Sequence, residues 1–399
     1  MVARSEEEAR KQGELAFPDK PFRLTRDEAV LDTWFAAAIW PLSTLKWPEG
    51  EDFREFYPTT MLNTGSDTLL SWVTRMVAVS LKLTGEAPFR EVLFHPLASD
   101  LEGRKMSKSL GNVIDPVDFI AGSALEALNQ KLLKGNLAPN SEELDRTKRF
   151  QATCFPEGIP ECGTDALRFA LVNSTSVSQT ILLDAKDVIR YREFCDGLYE
   201  TVHGALTMLP RDYKPTSSAY GQRMARRIGD RYILHRLNTA SREVEGAMEE
   251  KKFWKATQGI RNLWCHHIPT YLKYYQSCEE EDTNSESLPT IETLYAVIDG
   301  ALRMTHPFML FITEELWQKL PKSPHGDTPS IMVAEFPGQS PEYEYPYAEE
   351  EFNLMMKCAK EIQSLCQGMV IRENAKVRSP RPFPQDVGCE KDSLGIKCD

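Results

Sequence analysis

Three features are scarce or missing in this 399-residue chain, and each excludes a class of protein. No apolar run approaches the ~18–20 residues that a membrane-spanning helix needs, so no membrane partner is expected. The nine cysteines form no C-x-x-C pair, which argues against a zinc ribbon and for free thiols in a reducing compartment. The net charge is −12, so any contact with nucleic acid must come from local basic patches.

These absences favour a globular protein of the cytoplasm, with the mitochondrion as the alternative compartment. Cys265, His266 and His267 are the one cluster of metal-ligand types that stands out in the sequence. Adjacent residues on a helix point in different directions, and no second ligand pair stands nearby. The cluster is therefore interpreted as ordinary helix surface, and no metal site is predicted.

The pattern of apolar residues divides the chain into an α/β part and a helical part. Residues 31–125 carry strand-like runs separated by helical segments, and residues 69–83 have the spacing of an amphipathic helix. Residues 126–186 are expected to form a connector, of which residues 126–160 are polar. Residues 187–345 are expected to form an antiparallel helix bundle, and residues 346–399 one more helix and a disordered tail. The long helices are predicted over residues 191–209, 223–252, 253–275 and 292–320.

The most informative stretch is residues 103–113, Gly-Arg-Lys-Met-Ser-Lys-Ser-Leu-Gly-Asn-Val. An apolar run over residues 91–97 precedes it and predicts a buried strand. The cations are therefore expected on a loop just beyond a strand's carboxyl end, where open parallel sheets bind ligands. Lysine is a compact charge on a flexible stem and suits a phosphate ligand. Charge alone would favour a solvated loop. The order of the residues is what favours a phosphate-binding loop instead.

Lys-Met-Ser-Lys-Ser at residues 105–109 resembles the KMSKS signature of class I aminoacyl-tRNA synthetases, in the valyl, isoleucyl and leucyl subgroup. Residues 158–169 (Gly-Ile-Pro-Glu-Cys-Gly-Thr-Asp-Ala-Leu-Arg-Phe) resemble valyl members most closely, and residues 306–317 resemble the subgroup's anticodon-binding part. The resemblance implies an α/β fold, the second half of a Rossmann-like nucleotide-binding domain, followed by an all-α anticodon-binding helix bundle. It also implies a valine–tRNA ligase, which forms valyl-adenylate from ATP and valine and transfers valine to tRNA(Val).

The resemblance assigns roles to individual residues. Lys105 and Lys108 are implied to be the catalytic cations that stabilise charge on ATP, which binds as its Mg²⁺ complex; no tightly bound cofactor is expected. Trp34 is implied to wall the amino-acid pocket, although a core tryptophan would look the same in sequence. Residues 65–67 are implied to bind the ribose, with a helix cap as the alternative, and His95 suits a structural role equally well. The residues expected to bind ATP are Gly65, Asp67, His95, Lys105, Ser107, Lys108 and Ser109.

Four arginines are candidates for contacts with tRNA. Arg168 lies in the valyl-like stretch, and Arg223, Arg226 and Arg227 follow one another at roughly helical spacing. Such a cluster can neutralise phosphates, although a solvated basic face is the alternative. The expected partners are accordingly tRNA(Val), valine and ATP.

Parts of the family pattern do not occur in this sequence. The second class I signature, His-Ile-Gly-His or a close variant, is missing, and so is the editing insertion. Residues 1–30 resemble the remnant that follows that insertion. We therefore expect a partial form that shows no valine activation by itself, and a further chain that supplies the missing N-terminal half is a possible partner. The alternatives are a non-catalytic tRNA-binding or partner protein derived from a valyl-tRNA synthetase, and an isoleucyl-tRNA synthetase fragment.

Overall fold

The part of the chain that the structure describes is rich in helices and forms two small parallel sheets. The chain divides into two compact units, residues 1–95 and residues 96–399. Among the described residues, no helix is both long and apolar enough to cross a membrane. The computed structural model describes residues 2–18, 20–100, 103–107, 110, 112–135, 142–176, 180–182, 185–215, 227–279, 288–322 and 328–368.

The first unit contains two parallel strands joined by a helix. Strands β1 (Thr59–Gly65) and β2 (Phe89–His95) are hydrogen-bonded neighbours, and helix α5 (Thr74–Thr84) connects them. The buried side chains of Val73, Met76 and Phe89 form the core between helix and sheet. The four helices that precede β1 are α1 (Glu6–Ala16), α2 (Thr33–Ala38), α3 (Trp40–Ser43) and α4 (Glu51–Phe56).

The helix expected over residues 69–83 is present, but its first turn is wider than an α-helical turn. Residues Leu69–Val73 form a π-helical turn that leads directly into α5. Gly85 ends α5 with a φ of +80°, a left-handed conformation that favours glycine and closes the helix. The apolar run over residues 91–97 is interrupted, because β2 ends at His95 and Pro96 cannot donate to a strand ladder.

The described part of the second unit carries two short strands and is mostly helical. Strand β3 (Leu97–Ser99) pairs in parallel with β4 (Thr180–Leu182). A continuous core of buried side chains, among them Phe169, Tyr271 and Leu302, joins the helices. The helices are α6 (Pro116–Ile120), α7 (Leu125–Leu133), α8 (Glu142–Cys154), α9 (Thr164–Asn173), α10 (Ala185–Met208), α11 (Ile228–Glu249), α12 (Phe253–Asn262), α13 (Ile268–Glu279), α14 (Leu288–Thr305), α15 (Leu310–Lys319) and α16 (Ala348–Gly368).

One helix prediction needs correction. The single helix expected over residues 292–320 is two helices, because α14 ends at Thr305 and α15 begins at Leu310 with Pro307 between them. Proline lacks the N–H that would continue the first helix. The region of residues 126–186 contains most of α7 and all of α8 and α9. The predicted domain boundaries remain predictions.

The expectation that residues 265–267 are ordinary helix surface is wrong for His267. Residues Leu263–His267 form a π-helical turn between α12 and α13, which turns the imidazole of His267 toward α11. Its Nδ1 lies 2.7 Å from the hydroxyl of Tyr232, and its Nε2 accepts hydrogen bonds from Arg236 at 3.1 and 2.7 Å. Arg236 also pairs with Glu349 of α16 at 3.1 Å. His267 therefore accepts hydrogen bonds from Arg236 of α11 as a neutral imidazole, and Arg236 extends the contact to α16.

This arrangement predicts a loss of stability in mild acid. Burial and then the charge of Arg236 lower the pKa of His267 to about 4, against the smaller opposing effect of Glu349. Because the folded-state pKa lies below the unfolded value, the stabilisation is complete above about pH 6.5 and is lost as pH falls toward 4. Between pH 7 and pH 5 we expect the free energy of unfolding to fall by about 1–2 kcal/mol more in the natural chain than in His267→Gln.

Urea unfolding of both proteins at the two pH values measures this difference. His266→Gln is the matched control, because His266 is the exposed neighbour of His267. It should keep the pH dependence of the natural chain. An identical pH dependence in His267→Gln and the natural chain would contradict the prediction.

Candidate nucleotide and tRNA sites

Three residues expected to bind ATP meet at one edge of the first sheet. Gly65 and His95 are the last residues of the parallel strands β1 and β2 and are partners in the register. Asp67 lies in the single 3₁₀ turn, Ser66–Thr68, that follows β1, and both Asp67 and His95 are exposed. Carboxyl ends of parallel strands are where open α/β sheets bind ligands. The structure thus brings together residues that are 30 positions apart in the chain.

Trp34 lies on helix α2, which the side chain of Asp32 caps by accepting the N–H of Trp34 at 2.9 Å. Trp34 is 41% exposed in this chain. The guanidinium of Arg75 on α5 lies 5.2 Å from the ring centroid, within the range of a cation–π contact. The indole of Trp72 donates to the carbonyl of Ala37 at 3.0 Å and fixes α2 against the π-helical turn. An exposed, braced indole suits a pocket wall.

The signature segment begins as one arm of a hairpin in the second unit. The chain reverses after β3 through Gly103, whose φ is +76°, so that Lys105 forms an antiparallel bridge with Ser99. The N–H of Met106 donates to the carbonyl of Ala98 at 3.0 Å. Lys105 is exposed and Ser107 is partly buried. The strand before the signature is therefore β3, which the sequence had merged with β2. Lys108 and Ser109 lie outside the described residues.

Two buried polar residues at this hairpin were not predicted to have a role. Asp100 is 1% exposed and Asn112 is 3% exposed, and the Nδ2 of Asn112 donates to the carboxylate of Asp100 at 3.0 Å. Arg104 pairs with Asp100 at 2.9 Å and with Glu143 of α8 at 2.6 Å. The sequence feature that pointed to this arrangement was Asn112, a polar residue shortly after the signature. Its burial is seen only in the structure.

The candidate tRNA residues fall in different places. Arg168 is exposed on α9, and its guanidinium donates to the carbonyls of Phe308 and Pro307 at 3.4 and 3.3 Å. Arg227 caps the start of α11 and lies near the buried Asp230, whose pKa is raised by burial. Arg223 and Arg226 lie outside the described residues. The structure thus ties Arg168 to backbone, whereas Arg227 stands at a helix end.

Asp165 connects the two stretches that carry the family resemblance. Its carboxylate accepts the N–H groups of Phe311 and Ile312 at 3.1 and 2.7 Å, which are free donors in the first turn of α15. A carboxylate at a helix N-terminus is also favoured by the helix dipole. Residues 158–169 and 306–317 therefore pack as one structural unit. Among the described residues, no cluster of three or more His, Cys, Asp or Glu side chains could hold a metal ion.

Family models match two regions of the chain. The model "tRNA synthetases class I (I, L, M and V)" matches residues 1–184, and "Anticodon-binding domain of tRNA ligase" matches residues 230–381. Residues 1–184 therefore carry a class I tRNA synthetase domain, and residues 230–381 carry an anticodon-binding domain of a tRNA ligase. Both resemblances stated from sequence are thereby confirmed, the signature segment in the first match and the anticodon-like stretch in the second.

Several curated relatives of the chain are valine–tRNA ligases. It is 42% identical to "Valine--tRNA ligase, mitochondrial" of Saccharomyces cerevisiae over 94% of this chain, and 40% identical to "Valine--tRNA ligase" of Schizosaccharomyces pombe over 94%. The Homo sapiens enzyme of that name is 41% identical over 92%. The matched part is the C-terminal part of these relatives. The chain spans 34%, 38% and 29% of their lengths, about a third.

A solved synthetase has a similar fold. The crystal structure of the ternary complex of Agrobacterium radiobacter K84 agnB2 LeuRS with tRNA and LeuAMS matches 86% of this chain and 40% of its own, with a TM-score of 0.52. Sequence identity is 16%, so the likeness concerns the fold alone. Relatives include enzymes named mitochondrial and others without that word, so the compartment remains a prediction.

Proposed function

We propose that this chain is the C-terminal part of a valine–tRNA ligase. The observation that carries the proposal is the 40–42% identity to valine–tRNA ligases across 92–94% of the chain. The register of Gly65 with His95 supports it, because it forms a ligand-binding edge of the expected type. In this proposal residues 31–125 are the second half of a Rossmann-like fold, and residues 187–345 are an anticodon-binding helix bundle. Residues 126–186 connect them.

In the proposed reaction, a carboxylate oxygen of valine attacks the α-phosphorus of ATP, which binds as its Mg²⁺ complex. The new O–P bond forms as the bond to pyrophosphate breaks, and valyl-adenylate results. Gly65 and Asp67 hold the ribose and His95 lies near the nucleotide, because a glycine admits close approach and a carboxylate accepts from hydroxyls. Trp34 walls the valine side chain. Each of these residues is placed in the first unit.

The signature residues of the second unit are assigned to the phosphates. Charge builds on the phosphate oxygens as the pentavalent state forms, and fixed cations stabilise that state more than bound ATP. Lys108 is the principal cation and Lys105 the second, with Ser107 and Ser109 as hydrogen-bond donors. The adenylate then passes valine to the terminal ribose of tRNA(Val), with release of AMP. Arg168, Arg223, Arg226 and Arg227 are proposed to contact tRNA phosphates.

A chimera tests the proposed activity. The whole chain is fused after the N-terminal part of the Saccharomyces cerevisiae relative that it does not match, and charging of a valine tRNA and of an isoleucine tRNA is measured. We expect the chimera to charge the valine tRNA and the isolated chain to show no valine-dependent ATP–pyrophosphate exchange. Charging of the isoleucine tRNA with isoleucine would contradict the proposal and favour an isoleucyl origin.

Two other outcomes separate the remaining readings. A folded chimera that binds valine tRNA without charging it would favour a non-catalytic tRNA-binding protein. Robust exchange by the isolated chain would show that no second chain or upstream segment is needed for valine activation.

A further inference from the structure

A buried carboxylate lies where the chain reverses before the signature segment. The carboxylate of Asp100, directly after β3, accepts the backbone N–H of Arg104 at 2.9 Å and its Nε at 3.0 Å. The side-chain amide of Asn112 donates to the same carboxylate at 3.0 Å. Hydrogen bonds to a buried ionised group are strong and geometrically strict. Asp100 therefore fixes residues on both sides of the signature segment.

Asn112 carries this constraint to the backbone of the signature itself. Its Oδ1 accepts the N–H of Ser107 at 2.9 Å, while its Nδ2 also approaches the carbonyl of Lys105 at 3.4 Å. The side chain of Ser107 in turn accepts the N–H of Leu110 at 3.3 Å. One buried amide thus reaches the main chain on both sides of Met106.

The hairpin has other supports that do not involve Asn112. The N–H of Asp100 donates to the carbonyl of Arg104, and the N–H of Met106 donates to Ala98. The ion pair between Arg104 and Glu143 ties the same arm to α8. Removal of the Asn112 amide should therefore leave the hairpin in place and release the segment at Ser107, directly before Lys108 in the sequence.

We propose that Asp100 and Asn112 are positioning residues, which hold the backbone of Lys105, Met106 and Ser107 in the geometry that the adenylation reaction needs. This role rests on the proposed function, in which the signature lysines act on the phosphates of ATP. Neither residue is assigned a contact with substrate. A fixed backbone at Ser107 reduces the reorganisation needed when charge develops on the phosphates.

Amide hydrogen exchange in the isolated 399-residue chain tests the contacts among Asp100, Asn112 and Ser107 without a measurement of activity. In Asn112→Ala, the Ser107 amide should exchange with solvent hydrogen about 10-fold faster or more, because it loses its acceptor. The Met106 amide, which is bonded to Ala98 of β3, is the internal control and should keep its rate. Selective isotope labelling and nuclear magnetic resonance report both amides. Equal acceleration of the two amides would indicate a collapsed hairpin and overturn the proposal.

Kinetics in the chimera test the positioning role. Asn112→Ala should lower kcat for valine-dependent ATP–pyrophosphate exchange about 10-fold, the size of one lost charge-linked hydrogen bond, and leave the KM for valine unchanged. A purely structural role would instead lower the active fraction and the melting temperature without a selective change in kcat per active site. Asn129→Ala is the matched control, since Asn129 is a partly buried asparagine of the same unit whose Oδ1 has no hydrogen-bond partner among the described residues.

Asp100→Asn supplies the second variant if Asn112→Ala folds poorly. It changes one atom and removes the carboxylate from the opposite end of the brace, so it should reproduce the selective fall in kcat. Full activity per folded active site in either folded variant would overturn the positioning role. An inactive unmutated chimera would overturn the proposed function and this role together. An active chimera in which neither variant lowers kcat would overturn only the positioning role.

Discussion

Valine-dependent ATP–pyrophosphate exchange by the chimera is expected to fall about 100-fold or more when Lys108 is replaced by alanine. The reason is that a cation aimed at the developing phosphate charge acts mainly in the transition state. The loss should therefore appear in kcat, with a smaller change in the KM for valine. Stopped or continuous exchange assays at saturating ATP and valine measure it directly.

Lys134→Ala is the control for removal of one positive charge from the same unit. Lys134 is exposed at the end of α7, outside the signature segment, and the variant should keep the exchange rate of the unmutated chimera. Lys108→Arg should recover part of the activity, because it restores the charge with a different shape. An unchanged exchange rate in Lys108→Ala would remove this lysine from the proposed mechanism.

Local sequence patterns predicted which helices and strands exist better than they predicted where those elements begin and end. The helix over residues 69–83 and the strand at β2 follow from apolar spacing, which depends on near neighbours. The break between α14 and α15 was missed, although Pro307 lies in it, because apolar residues continue on both sides of it. The pairing of β3 with β4 was not predictable from spacing, since it joins residues 97–99 to residues 180–182.

The candidate site shows the same division between local and distant information. A motif identified Lys105 and Ser107, and strand ends suggested His95, but only the parallel register shows that His95 stands opposite Gly65. Burial of Asp100 and Asn112 depends on a hairpin that brings residues 12 positions apart into contact. His267 was wrongly assigned to the surface, because α-helical spacing was assumed there. A π-helical turn redirects its side chain, and a single widened turn leaves no periodic pattern in the sequence.

The affinity of the isolated chain for valine tRNA should fall roughly 40-fold between 50 and 200 mM salt. This estimate takes three phosphates neutralised by Arg223, Arg226 and Arg227, for which the slope of log affinity against log salt is about −2.7. With a net charge of −12, the chain should repel RNA elsewhere, so this cluster should dominate. Arg227 is the N-cap residue of α11 and is partly buried.

Filter-binding titrations at several salt concentrations measure the slope for a valine tRNA and an unrelated tRNA. Replacement of the three arginines by glutamine should reduce the magnitude of the slope of log affinity against log salt by about 2–3. Replacement of Arg10, Lys11 and Lys20, exposed cations of the first unit, should leave the slope unchanged. Phosphate contacts carry no sequence information, so preference for valine tRNA should be modest in this chain. Strong, salt-insensitive discrimination would instead mean that base contacts dominate. An equal change of slope in both triple variants would mean that the charge of the whole chain, and not the cluster of Arg223, Arg226 and Arg227, sets the affinity.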